Sequence, residues 1–200
     1  MDDSKINRTA VENRSTRETL IELGLGLDEA EPPQVSTGIP FFDHMLTLFT
    51  IHGFFALSLT AKGDLEVDCH HTVEDVGIVL GDAFSRALGD RKGITRYGFA
   101  VTPMDDALCA VAVDLSKRPY LVYHVPPVSG VSGAFGISLA KEFFRAFSVH
   151  GGMNLHINVS YGENEHHILE SIFKSLGRAL DQACSREGRL EDVRSSKGLL

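Results

Sequence analysis

His70-His71-Thr72-Val73-Glu74 returns as His166-His167-Ile168-Leu169-Glu170, an offset of 96 residues (70 to 166). Leu80-Gly81 and Leu176-Gly177 keep that offset. Upstream, His52 faces His150 at an offset of 98 (52 to 150), and Phe54-Phe55-Ala56-Leu57 faces Gly152-Met153-Asn154-Leu155. A two-residue difference in the turn before the histidines explains the change. The chain is therefore an internal duplication, with half-repeats expected at 1–92 and 93–200.

The spacing within the repeated stretch carries chemistry. Val73, Val76, Gly77 and Leu80, and Ile168, Leu169, Ile172, Phe173 and Leu176, recur at helical steps. Residues four apart share a helix face, so Glu74 stands beside His70 or His71, and Glu170 beside His166 or His167. Adjacent histidines diverge by about 100°. Each pair thus serves two different ions, or one ion and one substrate, better than a single ion. Four imidazoles with two carboxylates fit Mn(II), Fe(II) or Zn(II). Cys69 precedes the first pair, but its counterpart is Glu165. His44, in the first turn of another expected helix, is equated by the 98 offset with Glu142, and both are ligand-type residues.

Composition sets the class. At 200 residues the chain makes one compact domain or two fused half-domains. Hydrophobic content of 43% and charge of 23% are ordinary for a globular chain. A net charge of −8 argues against a nucleic-acid surface. Cys69, Cys109 and Cys184 have no paired spacing and suggest a reducing compartment. No apolar run reaches the roughly 18 residues of a membrane helix, and Met1-Asp2-Asp3-Ser4-Lys5 lacks a signal-peptide core. The expectation is a cytoplasmic protein with no membrane partner.

Taken in order, residues 9–14 and 20–27 read as strands joined by Ser15-Thr16-Arg17-Glu18-Thr19, where composition alone makes Glu18 a solvated turn residue. Asp28 to Ser36 reads as a loop and 41–52 as a helix. Phe54 to Leu65 reads as a strand, Leu65 to Cys69 as a further short strand, and 72–88 as a helix. In the second half, 98–103, 107–115, 120–125 and 155–159 read as strands, and 138–149 and 166–186 as helices. Asp105-Asp106 is a turn, and Pro126 to Gly136 a loop. The pattern predicts an α/β (α+β) two-layer sandwich in two similar half-domains, with mixed sheets packed on helices. Basic residues are dispersed: Arg96 and Arg118 at strand ends, Lys174 two turns beyond His166, and Arg194-Ser195-Ser196-Lys197 near the end. Arginine forks and Ser/Lys pairs suit phosphate.

These motifs carry a resemblance. Phe42-Asp43-His44-Met45-Leu46, His70 to Asp75, Asp114 to Tyr120, Phe143-Phe144-Arg145 and His166 to Glu170 with Phe173-Lys174 look like the imidazoleglycerol-phosphate dehydratase family of histidine biosynthesis, in its monofunctional form. The resemblance spans about Arg8 to Leu200. It implies a lyase that dehydrates imidazole glycerol phosphate to imidazole acetol phosphate. It implies two Mn(II) ions per active site, held by His44, His70, His71, Glu74, Glu142, His166, His167 and Glu170. Substrate contacts would come from Glu18, Arg96, Arg118, Lys174, Ser196 and Lys197, with Glu18 as the carboxylate that carries the proton. It also implies a homo-oligomer of twenty-four subunits with sites at subunit interfaces. The alternatives are another dinuclear-metal hydrolase, or an assembly protein that metal merely staples together.

Overall fold

The computed structural model describes residues 8–127 and 134–198. Met1–Lys5 lies outside these residues, as does the middle of the expected Pro126–Gly136 loop, at 128–133. The first half runs β1 (Thr9–Ser15), β2 (Thr19–Gly26), β3 (Gln34–Ser36), α1 (Pro40–Gly53), β4 (Ala56–Gly63) and α2 (His70–Leu88). The second runs β5 (Tyr97–Met104), β6 (Ala107–Asp114), β7 (Tyr120–His124), α3 (Ile137–His150), β8 (Asn154–Tyr161) and α4 (Glu165–Cys184).

The two sheets have one topology, β1-β2-β4-β3 and β5-β6-β8-β7. In each the last-named strand pairs in parallel and the others antiparallel. Alternation decides which face is buried. Ile21, Leu23 and Leu25 point inward beside Leu57, Leu59 and Ala61, and Val111 and Val113 do so beside Leu155 and Ile157. The long helices α2 and α4 lie on these inner faces, α2 on the first sheet and α4 on the second. The helices pair across the duplication, α2 with α3 and α1 with α4, so the helical layers of the two halves meet between the sheets.

Those crossings explain the repeated Leu-Gly. A Cβ on Gly177 would stand 2.4 Å from the Phe49 carbonyl of α1, and one on Gly81 would stand 2.9 Å from the Phe147 carbonyl of α3. Only glycine admits a neighbouring helix backbone so close. Around the crossings pack Phe42, Phe49, Phe84, Phe143, Phe147 and Phe173, each 1% exposed or less. Each contributes about 1.5–3 kcal/mol by burial.

Two expectations are corrected. Residues 65–69 are not a strand: the Val67 N–H donates to the Asp64 carbonyl at 2.8 Å, making a tight turn, and Val67 points outward. Conversely, the expected loop 28–36 ends in the short strand β3, aligned in parallel with Ser58–Thr60. Three residues after Pro32-Pro33 are too few to show alternation, and the partner strand lies far along the chain.

Candidate active site

Both histidine pairs lie in the first turn of a helix, and in each a side chain two residues upstream accepts the N–H of the pair's first histidine. The His70 N–H donates to Asp68 Oδ1 at 2.7 Å, and the His166 N–H donates to Asn164 Oδ1 at 2.9 Å. Asp68 and Asn164 are related by the 96-residue offset. Asn164 is the N-cap of α4 and satisfies a first-turn N–H, whereas Asp68 stands one residue before the α2 N-cap, Cys69, and accepts from the first residue of that helix. The α2 start is also seated on β4, since a Cβ on Gly63 would meet Thr72 Oγ1 at 2.0 Å.

The pairs split as their spacing predicts. The His70 and His71 rings lie 6.1 Å apart at 88°, and those of His166 and His167 lie 6.0 Å apart at 85°. The first member of each pair joins a cluster built from both halves. On α4, Glu170 Oε1 lies 2.9 Å from His166 Nε2 and 3.1 Å from His44 Nε2 of α1. Among the described residues these three alone bring ligand-type atoms mutually within 4.8 Å. Glu170 is buried, and Lys174 Nζ holds its other oxygen at 2.7 Å. Burial pushes the Glu170 carboxyl up, but Lys174, His44 and His166 outweigh it and hold it down at about 2. The carboxylate is therefore permanently charged near neutrality.

The related cluster is closed differently. His70 Nε2 lies 3.6 Å from Glu74 Oε2 on α2. From α3, Arg145 Nη2 reaches Glu74 Oε1 at 3.2 Å and Glu142 Oε2 at 2.7 Å. A guanidinium thus bridges the two carboxylates, and Glu142 is given to Arg145.

The second member of each pair is held by an aspartate that the sequence reading did not single out. His71 Nδ1 lies 3.0 Å from Asp64 Oδ2, with Glu18 Oε2 at 3.8 Å. His167 Nδ1 is bonded to Asp106, and its Nε2 lies 3.3 Å from Asp105 Oδ2. The hydrogen bonds that His71 and His167 donate to Asp64 and Asp106 push both imidazoles up. His167 and the backbone N–H groups of Glu163 and Asn164 hold Asp106 far below the usual carboxylate range. A carboxylate on Nδ1 orients each ring, as the hydrogen-bond partner of a metal-binding histidine does; in His167 the Nε2 so presented also meets Asp105. The available signal was an acid in each turn beside a histidine, but turn acids are common.

The basic residues divide. Arg96, Arg118, Ser196 and Lys197 line one cavity of about 670 Å³, together with Ser116 and Arg194. Arg96 is buried there. Its Nε and Nη2 donate to Asp114 at 2.7 and 3.1 Å, and its Nη1 donates to the Arg194 carbonyl at 2.5 Å. Lys174 is not among the lining residues; it sits on Glu170 and 3.2 Å from Met104 Sδ.

Fold and site define a duplicated α/β enzyme whose polar groups are imidazole–carboxylate clusters beside a basic cavity. The family model for imidazoleglycerol-phosphate dehydratase matches residues 37–180. The chain belongs to that family. It is 56% identical over 195 residues to the imidazoleglycerol-phosphate dehydratase of Desulfosudis oleivorans, covering 98% of this chain and 100% of that one. The dehydratase of Syntrophobacter fumaroxidans is 55% identical over 193 residues, covering 96% and 98%. The crystal structure of the Staphylococcus aureus dehydratase superposes with a TM-score of 0.81 at 36% identity, covering 90% of this chain and 99% of that one. That of Pyrococcus furiosus, in complex with (S)-C348, gives 0.83 at 37%, covering 94% and 100%.

Proposed function

We propose that this chain removes water from imidazole glycerol phosphate to give imidazole acetol phosphate, with two Mn(II) ions bound per site. The observation that carries the reading is the convergence of His44, His166 and Glu170 from two helices onto one point. Two imidazoles and an ionised carboxylate fit a first-row divalent ion such as Mn(II). His70, His71, Glu74 and His167 complete the proposed donor set, and Glu142 enters it only by exchanging Arg145 for the cation. When bound, the ions supply Lewis acidity for the substrate's imidazole and a hydroxyl.

The chain's own groups do the rest. In the balanced reaction the hydroxyl on the ring-side carbon departs and the neighbouring carbon gives up its hydrogen as a proton. The resulting enol becomes the ketone as a proton returns to the ring-side carbon. Glu18, beside His71, is the proposed proton carrier; such groups contribute about 10²–10⁴-fold. Arg96, Arg118, Ser196 and Lys197 bind the phosphate, and Lys174 turns Glu170 toward the imidazoles. We further propose a homo-oligomer of twenty-four subunits with its sites at subunit interfaces. The exposed apolar side chains Phe54 and Phe99, at 62% and 61%, support burial between copies. No helix among the described residues is long and apolar enough to cross a membrane.

The test is an assay with imidazole glycerol phosphate after chelation and again after Mn(II) is restored. Keto product that returns only with metal is expected. Release of inorganic phosphate instead would overturn the dehydratase reading in favour of a hydrolase.

A further inference from the structure

Asp75 follows Glu74 on α2 and takes no part in either histidine cluster, yet it is a carboxylate only 8% exposed. A buried acid needs partners, and both of its partners come from the β1–β2 hairpin. Thr19 Oγ1, at the start of β2, donates to Asp75 Oδ2 at 2.5 Å. Arg14 Nε, near the end of β1, lies 3.0 Å from Asp75 Oδ1. The turn between these strands carries Glu18.

The contacts form a directed chain. Thr16 Oγ1 accepts the N–H groups of Glu18 at 3.1 Å and Thr19 at 2.9 Å. It lies 3.2 Å from Thr19 Oγ1. A hydroxyl has one proton, and the Thr19 proton is committed to Asp75, so Thr16 is the donor between the two threonines. The sequence runs from the Glu18 amide to Thr16, to Thr19, to Asp75. On the other side the Asp64 N–H donates to the Glu18 carbonyl at 3.1 Å, while the Asp64 carboxylate holds His71. Glu18 is thus tied to the same helix start that presents His71.

The duplication supplies a control. Position 171, which is 75 advanced by the 96-residue offset, is Ser171. Its hydroxyl donates to the Ile168 carbonyl of its own helix at 2.8 Å. A fastening needed only to hold a strand on a helix would be expected in both halves. It is present in the half whose turn bears Glu18.

We propose that Asp75, acting through Thr19 and Thr16, is a positioning residue that fixes the Glu18 carboxylate beside His71. The inference rests on the reading of Glu18 as proton carrier. A misplacement of about 1 Å costs up to about 10²-fold in rate. Thr19→Val should therefore lower kcat about tenfold with KM nearly unchanged, and Thr19→Ser, which keeps the hydroxyl, should restore it. Asp75→Asn should act in the same direction.

The experiment measures hydrogen exchange of residues 14–20 and steady-state kinetics on the assembled, metal-loaded protein, for Thr19→Val, Thr19→Ser and Asp75→Asn. Thr19→Val is repeated in a Glu18→Gln background. Faster exchange confined to the turn in Thr19→Val, reversed in Thr19→Ser, with no further loss of kcat once Glu18 is glutamine, is the expected result. Unchanged exchange in the turn, or an equal further loss in the Glu18→Gln background, overturns the proposal. Near-normal turnover of Glu18→Gln alone would instead remove Glu18 as proton carrier, and the exchange data would still decide whether Asp75 positions it.

Discussion

Lys174 Nζ stands 2.7 Å from Glu170 Oε2, one turn along α4, and leaves Oε1 facing His44 and His166. With its pKa held below the ordinary 4.5, Glu170 contributes stability that is present above that value and lost as pH falls through about 2. Lys174→Met should destabilise the protein by about 1.5–3 kcal/mol near neutrality. The loss should shrink toward about pH 3, because the carboxyl of the variant, left with His44 and His166 alone, protonates sooner. Thermal unfolding across that range checks it, and a loss that does not vary with pH contradicts the assignment.

Gly177→Ala would place a methyl 2.4 Å from the Phe49 carbonyl and force α1 away from α4. The expected cost is about 1–3 kcal/mol. Since α1 carries His44, the proposed site should also bind Mn(II) less tightly in a titration followed by electron paramagnetic resonance. Gly81→Ala displaces α3 instead, so it should lower Tm comparably and weaken Mn(II) binding less. Equal loss of binding in both variants would separate affinity from the α1–α4 crossing.

Asn164→Ala removes the α4 N-cap, and Asp68→Ala removes the side-chain acceptor of the first N–H of α2. Each should cost about 1 kcal/mol, and the double variant should add to within about 0.5 kcal/mol, as distant sites do. Urea unfolding measures all three. Strong non-additivity would mean that the two helix starts communicate.

Arg96→Lys exchanges a fork for a point charge. Lysine cannot satisfy Asp114 twice and the Arg194 carbonyl once. The variant should bind substrate with a raised KM and expose the segment beyond Arg194. Trypsin should cleave at Arg194 and Lys197 faster than in the parent, and an unchanged cleavage rate would show that the clasp does not hold the segment.

The duplication and both long helices were legible because repetition and helical period leave their mark along the chain. So was the parting of each histidine pair, which follows from the angle between neighbours on a helix. Strand β3 was not legible, since its identity lies in distant β4. Nor were Asp64 and Asp106, ordinary turn acids until the fold sets them on His71 and His167. The fate of Glu142 was hidden for the same reason: its offset matches it to His44, but Arg145 three residues on captures it. Offsets transmit position, and they do not transmit which neighbour arrives first.

The crossing of helices between halves has a further consequence. His44 of the first half completes a cluster whose other members belong to the second, and Arg145 of the second closes a cluster that belongs to the first. Donors are traded reciprocally, so neither copy of the ancestral unit could drift or be lost without damaging the other's chemistry. The trade also means that neither half, cut from the other at the segment between α2 and β5 and kept apart from it, could bring its own cluster together.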